Sequence, residues 1–376
     1  MNIIRTDFNC VYPSIIILLF LTIGAPGVFG TASRAATGEE KSDVAAAVTT
    51  PMSRDGRTGE AREIRIGHFP NITHAQAVLA HGSEEFEKKL GLPVKWTIFN
   101  AGPSAVEALF VDAIDATYIG PNPSINGYIK SEGSSFRIVA GSASGGAALV
   151  VRSDAGINTE RDFNDKIIAT PQLGNTQDVA ARAWFHEKGY RLREQGGTLA
   201  ILPLANPDQL LLFQKKEIHG AWTIEPWVSR LEIEGGGKVF LEEKALWPEG
   251  KYATTLLVVS CKFLKNHPET VKKLIMAHVE LTQKLMSDKK AYIPAINAEI
   301  KKETGKELSP KVIESAMARV DFGWDPLVDS IKQSAQSAHK AGFIKELPDL
   351  DGLFDLSLLN AVLKEKDLPA VEYKKQ

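Results

Sequence analysis

The sequence predicts an α/β protein of two domains, and three observations carry that prediction. From about Glu63 onward, short apolar runs alternate with helical patterns. The chain has 376 residues, enough for two domains of roughly 100–200 residues each. Two apolar segments, 147–152 and 254–260, bracket a central block with strands and helices of its own. Such a chain is free to leave a first domain, build a second and return. The bracketing segments would then act as a hinge beside a ligand cleft.

Strands are expected at 64–68, 94–99, 116–119, 137–140, 147–152, 166–170, 199–204, 220–224 and 254–260. Helix starts are marked by capping residues. Thr73 with Gln76 and Ser104 with Glu107 fit a capping box, and Asn206-Pro207 offers a cap followed by Pro at the first helical position. Ala75, Val78, Leu79, Phe86 and Leu90 form one apolar face of the first helix. Beyond Cys261 the pattern is helical over 262–286, 292–304, 310–320 and 326–341. The run Gly235-Gly236-Gly237 follows a helix and reads as its C-terminal stop. No internal repeat is visible.

Hydrophobic residues make up 44% and charged residues 24%, ordinary values for a chain that buries a core. A net charge of −2 gives no field strong enough to hold nucleic acid or an acidic membrane. The two cysteines, Cys10 and Cys261, suggest neither a disulfide framework nor a zinc site.

The first 30 residues read as a secretory signal. Arg5 is the only positive side chain before an apolar run from Ile15 to Ile23, which Gly24, Ala25, Pro26 and Gly27 break. Val28 and Gly30 are small enough for a cleavage site after Gly30. The rival is an uncleaved anchor, but the run is far short of the ~20 residues a spanning helix needs. Cys10 precedes the run, so it is not the lipid-bearing cysteine of a lipoprotein. Residues 31–62, rich in Ala, Gly, Ser, Thr and charge, read as a disordered linker.

The most informative stretch is 168–181. A β-branched run ends at Thr170, Pro171 and Gly174 turn the chain, and Asn175 or Thr176 sits where a helix should begin. The first N–H groups of a helix lack partners and carry partial positive charge, so such a turn suits an anion. The turn holds no Lys or Arg, and its first acid is Asp178. Neutral donors, not an ion pair, would hold the ligand.

Five motifs together resemble the substrate-binding proteins of ABC importers, in the group serving aliphatic sulfonates, taurine and nitrate. They are Ile66 to Ala75, Ile119-Gly120-Pro121-Asn122-Pro123, Gly145 to Val150, the Thr170–Asp178 turn, and Trp222-Thr223-Ile224-Glu225-Pro226-Trp227. The resemblance runs from about Glu63 to about Lys290. It implies a two-lobed type II periplasmic-binding-protein fold, with two crossover strands, a helical C-terminal segment and a ligand clamped at the hinge. Lobe I would comprise 63–147 and 258–376, and lobe II 148–257. It also implies a periplasmic location, a small oxyanion as ligand, and ABC permease and ATPase subunits as partners of a monomer.

The ligand residues expected on this basis are Thr73 and His74 at a helix start, Gly120 and Asn122 in a Pro-rich turn, and Ser142 and Gly145 in a small-residue run. Gln172, Asn175, Thr176 and Gln177 form the strongest set. A neutral His74 still donates one hydrogen bond. Trp222 and Glu225 have two readings: rings walling an alkyl group or facing an ammonium with which Glu225 pairs, or a structural role in which Glu225 caps a helix that begins at Pro226. For Trp227 the core is the expected place.

No catalytic constellation stands out: there is no Gly-x-Ser-x-Gly elbow, no His-Glu-x-x-His helix and no Walker loop. The eight His show no metal spacing. Binding without catalysis, cofactor or metal is therefore expected, with an aliphatic sulfonate first among ligands and nitrate, taurine and bicarbonate behind it. The alternatives are a thiamine-pyrimidine-related binder or synthase of the same fold, whose cysteine-rich motif is missing here, and a ligand-sensing module that takes no part in transport.

Overall fold

The computed structural model describes residues 61–373. The expected signal, Cys10 and nearly all of the expected linker lie outside them. The elements begin with β1 (Ile64–His68), α1 (Ala75–Ser83), α2 (Glu85–Leu90), β2 (Val94–Ile98), α3 (Gly102–Phe110), β3 (Ala116–Ile119), α4 (Pro121–Lys130) and β4 (Phe136–Gly145). A central block follows: β5 (Ala147–Arg152), β6 (Ile167–Thr170), α5 (Thr176–Glu187), β7 (Ala200–Pro203), α6 (Asn206–Gln214), β8 (Gly220–Ile224), α7 (Trp227–Ile233) and β9 (Gly237–Glu242). The chain ends with β10 (Ala253–Ser260), α8 (Cys261–Asn266), α9 (Pro268–Asp288), α10 (Ile293–Thr304), α11 (Pro310–Arg319), β11 (Val320–Phe322), α12 (Val328–Lys340) and α13 (Ser357–Glu365).

Two sheets form. The first has strand order β11-β4-β10-β3-β1-β2, the second β7-β6-β8-β5-β9. In each, four strands run the same way (β1 to β4 and β6 to β9), with an antiparallel strand between the third and the fourth: β10 between β3 and β4, β5 between β8 and β9; β11 adds a second antiparallel strand beside β4. Leaving out β11, the two sheets share one order. Parallel strands need covered faces, and helices supply the cover. Strand β10 is buried along its whole length. Val78, Leu79, Phe86 and Leu90 pack with Ile64 and Ile66 on one side of the first sheet, while Phe163, Trp184, Phe185 and Trp222 fill one side of the second.

The chain crosses between the sheets twice. The bracketing strands do not themselves cross: β5 lies wholly in the second sheet and β10 wholly in the first. The first crossing turns at Gly145 and Gly146, both at φ +76°, a conformation that costs glycine little and other residues more. The second runs through 243–252.

Several local expectations shift. The first helix breaks at Glu84, left-handed at φ 56°, so its apolar residues divide between α1 and α2. Neither capping box forms. Gln76 instead donates to the Ser142 carbonyl and accepts from the Ser142 hydroxyl, and Ser104 lies inside α3. The expected helix 262–286 is interrupted at His267, before Pro268. Strands β9 and β11 and helix α13 were not expected. Among the described residues, no helix is long and apolar enough to cross a membrane.

Candidate functional site

The carboxyl ends of the parallel strands in both sheets face one small cavity. The first sheet contributes Phe69, Asn71 and His74 after β1, Asn100 to Gly102 after β2, Gly120 and Pro123 after β3, and Thr254 of β10. The second contributes Pro171 and Asn175 to Gln177 after β6, Asn206 after β7, and Ile224 at the end of β8. The starts of α1, α3, α4, α5 and α6 therefore converge there. Crevices beyond the carboxyl ends of parallel strands are the usual ligand sites of open α/β sheets.

The lining contains no Lys, Arg, Asp or Glu. The space open to the centre of a water molecule is about 30 Å³; one water needs about 10–15 Å³ by that measure. The cavity thus has room for about two or three waters, or a group of that size, and not for a long molecule.

The α5 turn is built to leave donors free. Asn175 caps the helix, its side-chain oxygen accepting from the Asp178 N–H at 2.9 Å, while its carbonyl accepts from Val179. That leaves the amides of Thr176 and Gln177 as the helix's first unpaired donors. The Thr176 hydroxyl is buried without a partner. Asp178 points away from the cavity chemistry: it accepts from Thr170 Oγ1 (2.8 Å) and the Gly174 N–H (2.9 Å), and Arg182 Nε donates to both its oxygens at 3.2 Å. The one nearby carboxylate is thereby neutralised and fixes the turn.

His74 is neutral. Burial, with a smaller contribution from His68, holds its pKa well below the usual histidine range. The Phe69 N–H donates to its Nδ1 at 3.4 Å, which leaves the proton on Nε2 as a donor.

Of the residues expected from sequence, His74, Gly120, Asn175, Thr176 and Gln177 line the cavity. The others lie outside its lining, each for a local reason. Thr73 is fully buried and its methyl faces Gly146. Asn122 reaches toward the Ser334 carbonyl at 3.5 Å. Ser142 is engaged with Gln76, and the Gly145 carbonyl accepts from Thr254 Oγ1 at 2.7 Å. The half-buried Gln172 accepts the Asn175 N–H through its carbonyl. Trp222 is fully buried in the second sheet's core, and its indole N–H donates to Glu243 at 2.7 Å. Glu225 accepts from the Ser229 N–H and hydroxyl in the first turn of α7, although the helix begins at Trp227 and its cap position is Pro226, not Glu225. Trp227 is buried, but its indole N–H donates across the cleft to Asn71 at 3.3 Å.

Asn71, Asn100, Asn206 and Thr254 were missed. Asn71 lies within the first of the five motifs, and Asn206, expected as a helix cap, is instead the first residue of α6, whose cap position is Ala205. The same strand–turn–helix signal that marked Asn175 was present at Asn206, without anything local to say that the two turns meet.

Beside the cavity, Arg319 at the end of α11 joins the two sheets' surroundings. Its guanidinium donates to Glu225 (3.1 Å), Glu232 (2.6 Å), Glu242 (3.0 Å) and the Ser229 hydroxyl (3.0 Å). Burial raises Glu225 to about 7, against the opposing pull of Ser229 and Arg319.

A second cavity of about 350 Å³, by the same measure, shares Asn71, Asn100 and Asn206 with the first. Ile98, Phe99, Leu210, Trp227, Ile300 and Leu308 give it apolar walls, with Arg230, Glu303 and Lys306 among its lining.

Comparison with known proteins agrees with this architecture. The chain is 25% identical to the taurine-binding periplasmic protein of Escherichia coli over 224 residues, 60% of this chain and 67% of that protein. It is 23% identical to a putative aliphatic sulfonates-binding protein of Bacillus subtilis, covering 81% of this chain and 90% of the other. Among solved structures, the periplasmic nitrate-binding protein NrtA of Synechocystis superposes with a TM-score of 0.71 at 14% identity, covering 82% and 90% of the two chains. The alkanesulfonate-binding protein SsuA of Xanthomonas axonopodis, bound to MOPS, gives 0.64 at 20% identity, covering 77% and 96%. The fold is therefore the two-lobed α/β fold of periplasmic binding proteins. A profile of the NMT1-like family matches residues 57–298, and the chain belongs to that family.

Proposed function

We propose that this protein is the extracytoplasmic solute-binding component of an ABC importer, and that it captures a small oxyanion, with an aliphatic sulfonate as first choice. The two sheets are the cores of two lobes, one built from 63–145 and 253–373 and the other from 147–242, joined at Gly145–Gly146 and 243–252. The lobes close on the ligand, and the closed form is what the permease receives. No bond is made or broken.

The observation that carries this reading is the convergence of five helix starts on a cavity lined without a formal charge. Desolvating an anion costs several kcal/mol. One helix start returns at most ~2 kcal/mol. Several starts, with charge-assisted hydrogen bonds of about 1.5–3 kcal/mol each, offset the cost. The amides of Thr176 and Gln177, the Thr176 hydroxyl and the His74 Nε2–H are suitable donors.

The neighbouring apolar cavity favours a sulfonate over nitrate or bicarbonate. The headgroup would sit among the amides and its alkyl tail would extend past Asn71 and Asn206 toward Leu210 and Trp227. Each buried methylene adds about 0.8 kcal/mol. The relatives' names, a taurine-binding and an aliphatic sulfonates-binding protein, point the same way.

Calorimetry with methane-, ethane- and pentanesulfonate, taurine, nitrate, bicarbonate, sulfate and thiamine-pyrimidine precursors tests this. Saturable 1:1 binding of alkanesulfonates, tightening with chain length, is expected. Binding of nitrate or bicarbonate alone would reassign the ligand, and binding only of a cationic or neutral pyrimidine would end the anion reading.

A further inference from the structure

Away from the anion cavity, three chemistry-bearing side chains of the first lobe meet at one point. His68 ends β1, His81 lies on α1 and Glu303 on α10. His68 Nε2 is 2.6 Å and His81 Nδ1 is 2.8 Å from the same carboxylate oxygen, Glu303 Oε1. Glu299, one turn back on α10, places Oε1 3.1 Å from His81 Nδ1. The side chains of His68 and Glu303 are 0% and 1% exposed.

Two features set this group apart from an ordinary buried hydrogen-bond cluster. Among the described residues the buried Glu303 carboxylate is contacted by the two imidazoles and by no Lys or Arg, and its second oxygen, Oε2, is buried without a partner. The Trp96 ring closes one side, 5.2 Å from the His68 ring and 5.3 Å from the His81 ring. On another side Glu303 borders the 350 Å³ cavity, which gives an entry path.

We infer that His68, His81 and Glu303 form a binding site for one divalent transition-metal ion, zinc being the best fit. Two imidazoles and a carboxylate are a zinc ligand set. In a tetrahedral site with ligands at about 2.0–2.1 Å, donor atoms lie about 3.3 Å apart. The present N···O separations need to widen by under about 1 Å, within reach of small side-chain rotations. The ion takes the place of the two N–H protons that now converge on Oε1, and each imidazole stays neutral by carrying its single proton on its other ring nitrogen, Nδ1 of His68 and Nε2 of His81. Glu303 Oε2 or Glu299 supplies a further ligand. The sequence shows no metal spacing because Glu303 lies 222 residues beyond His81. His68 directly precedes Phe69, so the ion would also fix the start of the loop that carries Asn71 and His74. The inference stands independently of which anion binds.

The test uses the full chain stripped of metal by a chelator and titrated with Zn²⁺ by calorimetry and with Co²⁺ by visible absorption. One equivalent of Zn²⁺ and the intense d–d bands of four-coordinate Co²⁺ are expected. His81→Gln and Glu303→Gln should each weaken Zn²⁺ binding at least tenfold and abolish the Co²⁺ bands. His186→Gln, at an exposed histidine, should change neither. Far-UV circular dichroism separates misfolding from ligand loss; if Glu303→Gln fails to fold, the part-exposed His81 variant decides. Absence of saturable Zn²⁺ binding by the folded chain overturns the inference. So does Zn²⁺ affinity left unchanged in folded His81→Gln.

Discussion

Two of the places where the two sheets' surroundings meet are built from opposite chemistry. At the cavity, amides, hydroxyls and a neutral imidazole face a small space with no ionised lining residue. A short way along the interface, one guanidinium holds three carboxylates. The cavity keeps donors such as the Thr176 hydroxyl unpaired among the described residues, and under the proposed function a charged ligand would supply the missing partner. The Arg319 cluster is satisfied within the protein and needs no ligand. Under the proposed function, selectivity and closure would fall to separate groups, and each would be open to change without the other.

The largest effect is expected from Arg319→Met. It leaves Glu225 fully buried without its cation, and breaking a buried pair from one side costs about 3–5 kcal/mol. Small-angle scattering should show a shift toward separated lobes, with a lower melting temperature. The loss should be greater at pH 8 than at pH 6, because burial keeps Glu225 protonated up to about 7. A closed, equally stable variant at pH 8 would remove Arg319 from the account of closure.

Asn175→Asp tests the cavity alone. Aspartate keeps the cap on the Asp178 N–H but adds a negative charge beside the ligand. Like charges about 4 Å apart repel by roughly 4 kcal/mol at an effective dielectric near 20. Calorimetry should show anion affinity falling at least about 100-fold with the fold retained. Unchanged affinity would place the anion elsewhere.

Glu243 sharpens the contrast, since it is a buried acid with no cation. Burial raises its carboxyl to about 7, against the hydrogen bonds from Trp222 and Trp247. The unfolded chain ionises near 4.5, so between these pH values the folded state holds a proton that the unfolded state has lost. Stability therefore falls as pH rises through the window, by an amount on the order of 3 kcal/mol when complete. Glu243→Gln keeps an acceptor for the Trp222 indole and should flatten that decline in denaturant titrations at pH 5 and 8. An unaltered pH dependence would contradict this assignment.

Gly120→Ala should have the smallest effect of the four. A Cβ there would lie 2.4 Å from Thr176 Oγ1, across the closed cleft. Overpacking of this kind costs about 1–3 kcal/mol, and here it falls on closure. Affinity should drop roughly tenfold with little change in the stability of the ligand-free protein; undiminished affinity would mean that the lobes need not approach so closely.

What the sequence made legible was local. β1, β3, β5 and β8 begin and end where their apolar runs do, because strand and turn chemistry act over a few residues. β9 escaped notice as a half-buried edge strand that starts at the third of three glycines. β11 has only three residues, and its pairing with β4 is a tertiary event. In the site, the helix start at Asn175 was readable for the same local reason. Trp222 and Glu225 were ambiguous because partners of each, Glu243 and Arg319, stand 21 and 94 residues away. Ser142 answers to Gln76 across 66 residues. Periodicity reports which face is apolar; it does not report which polar group is already taken.

The most direct test is a crystal structure of the protein grown with pentanesulfonate. The account predicts the sulfonate oxygens within hydrogen-bond distance of the Thr176 and Gln177 amides and the His74 imidazole, with the tail directed toward Leu210 and Trp227. A sulfonate bound at any other place, with the 175–177 turn touching only protein or solvent, would contradict it.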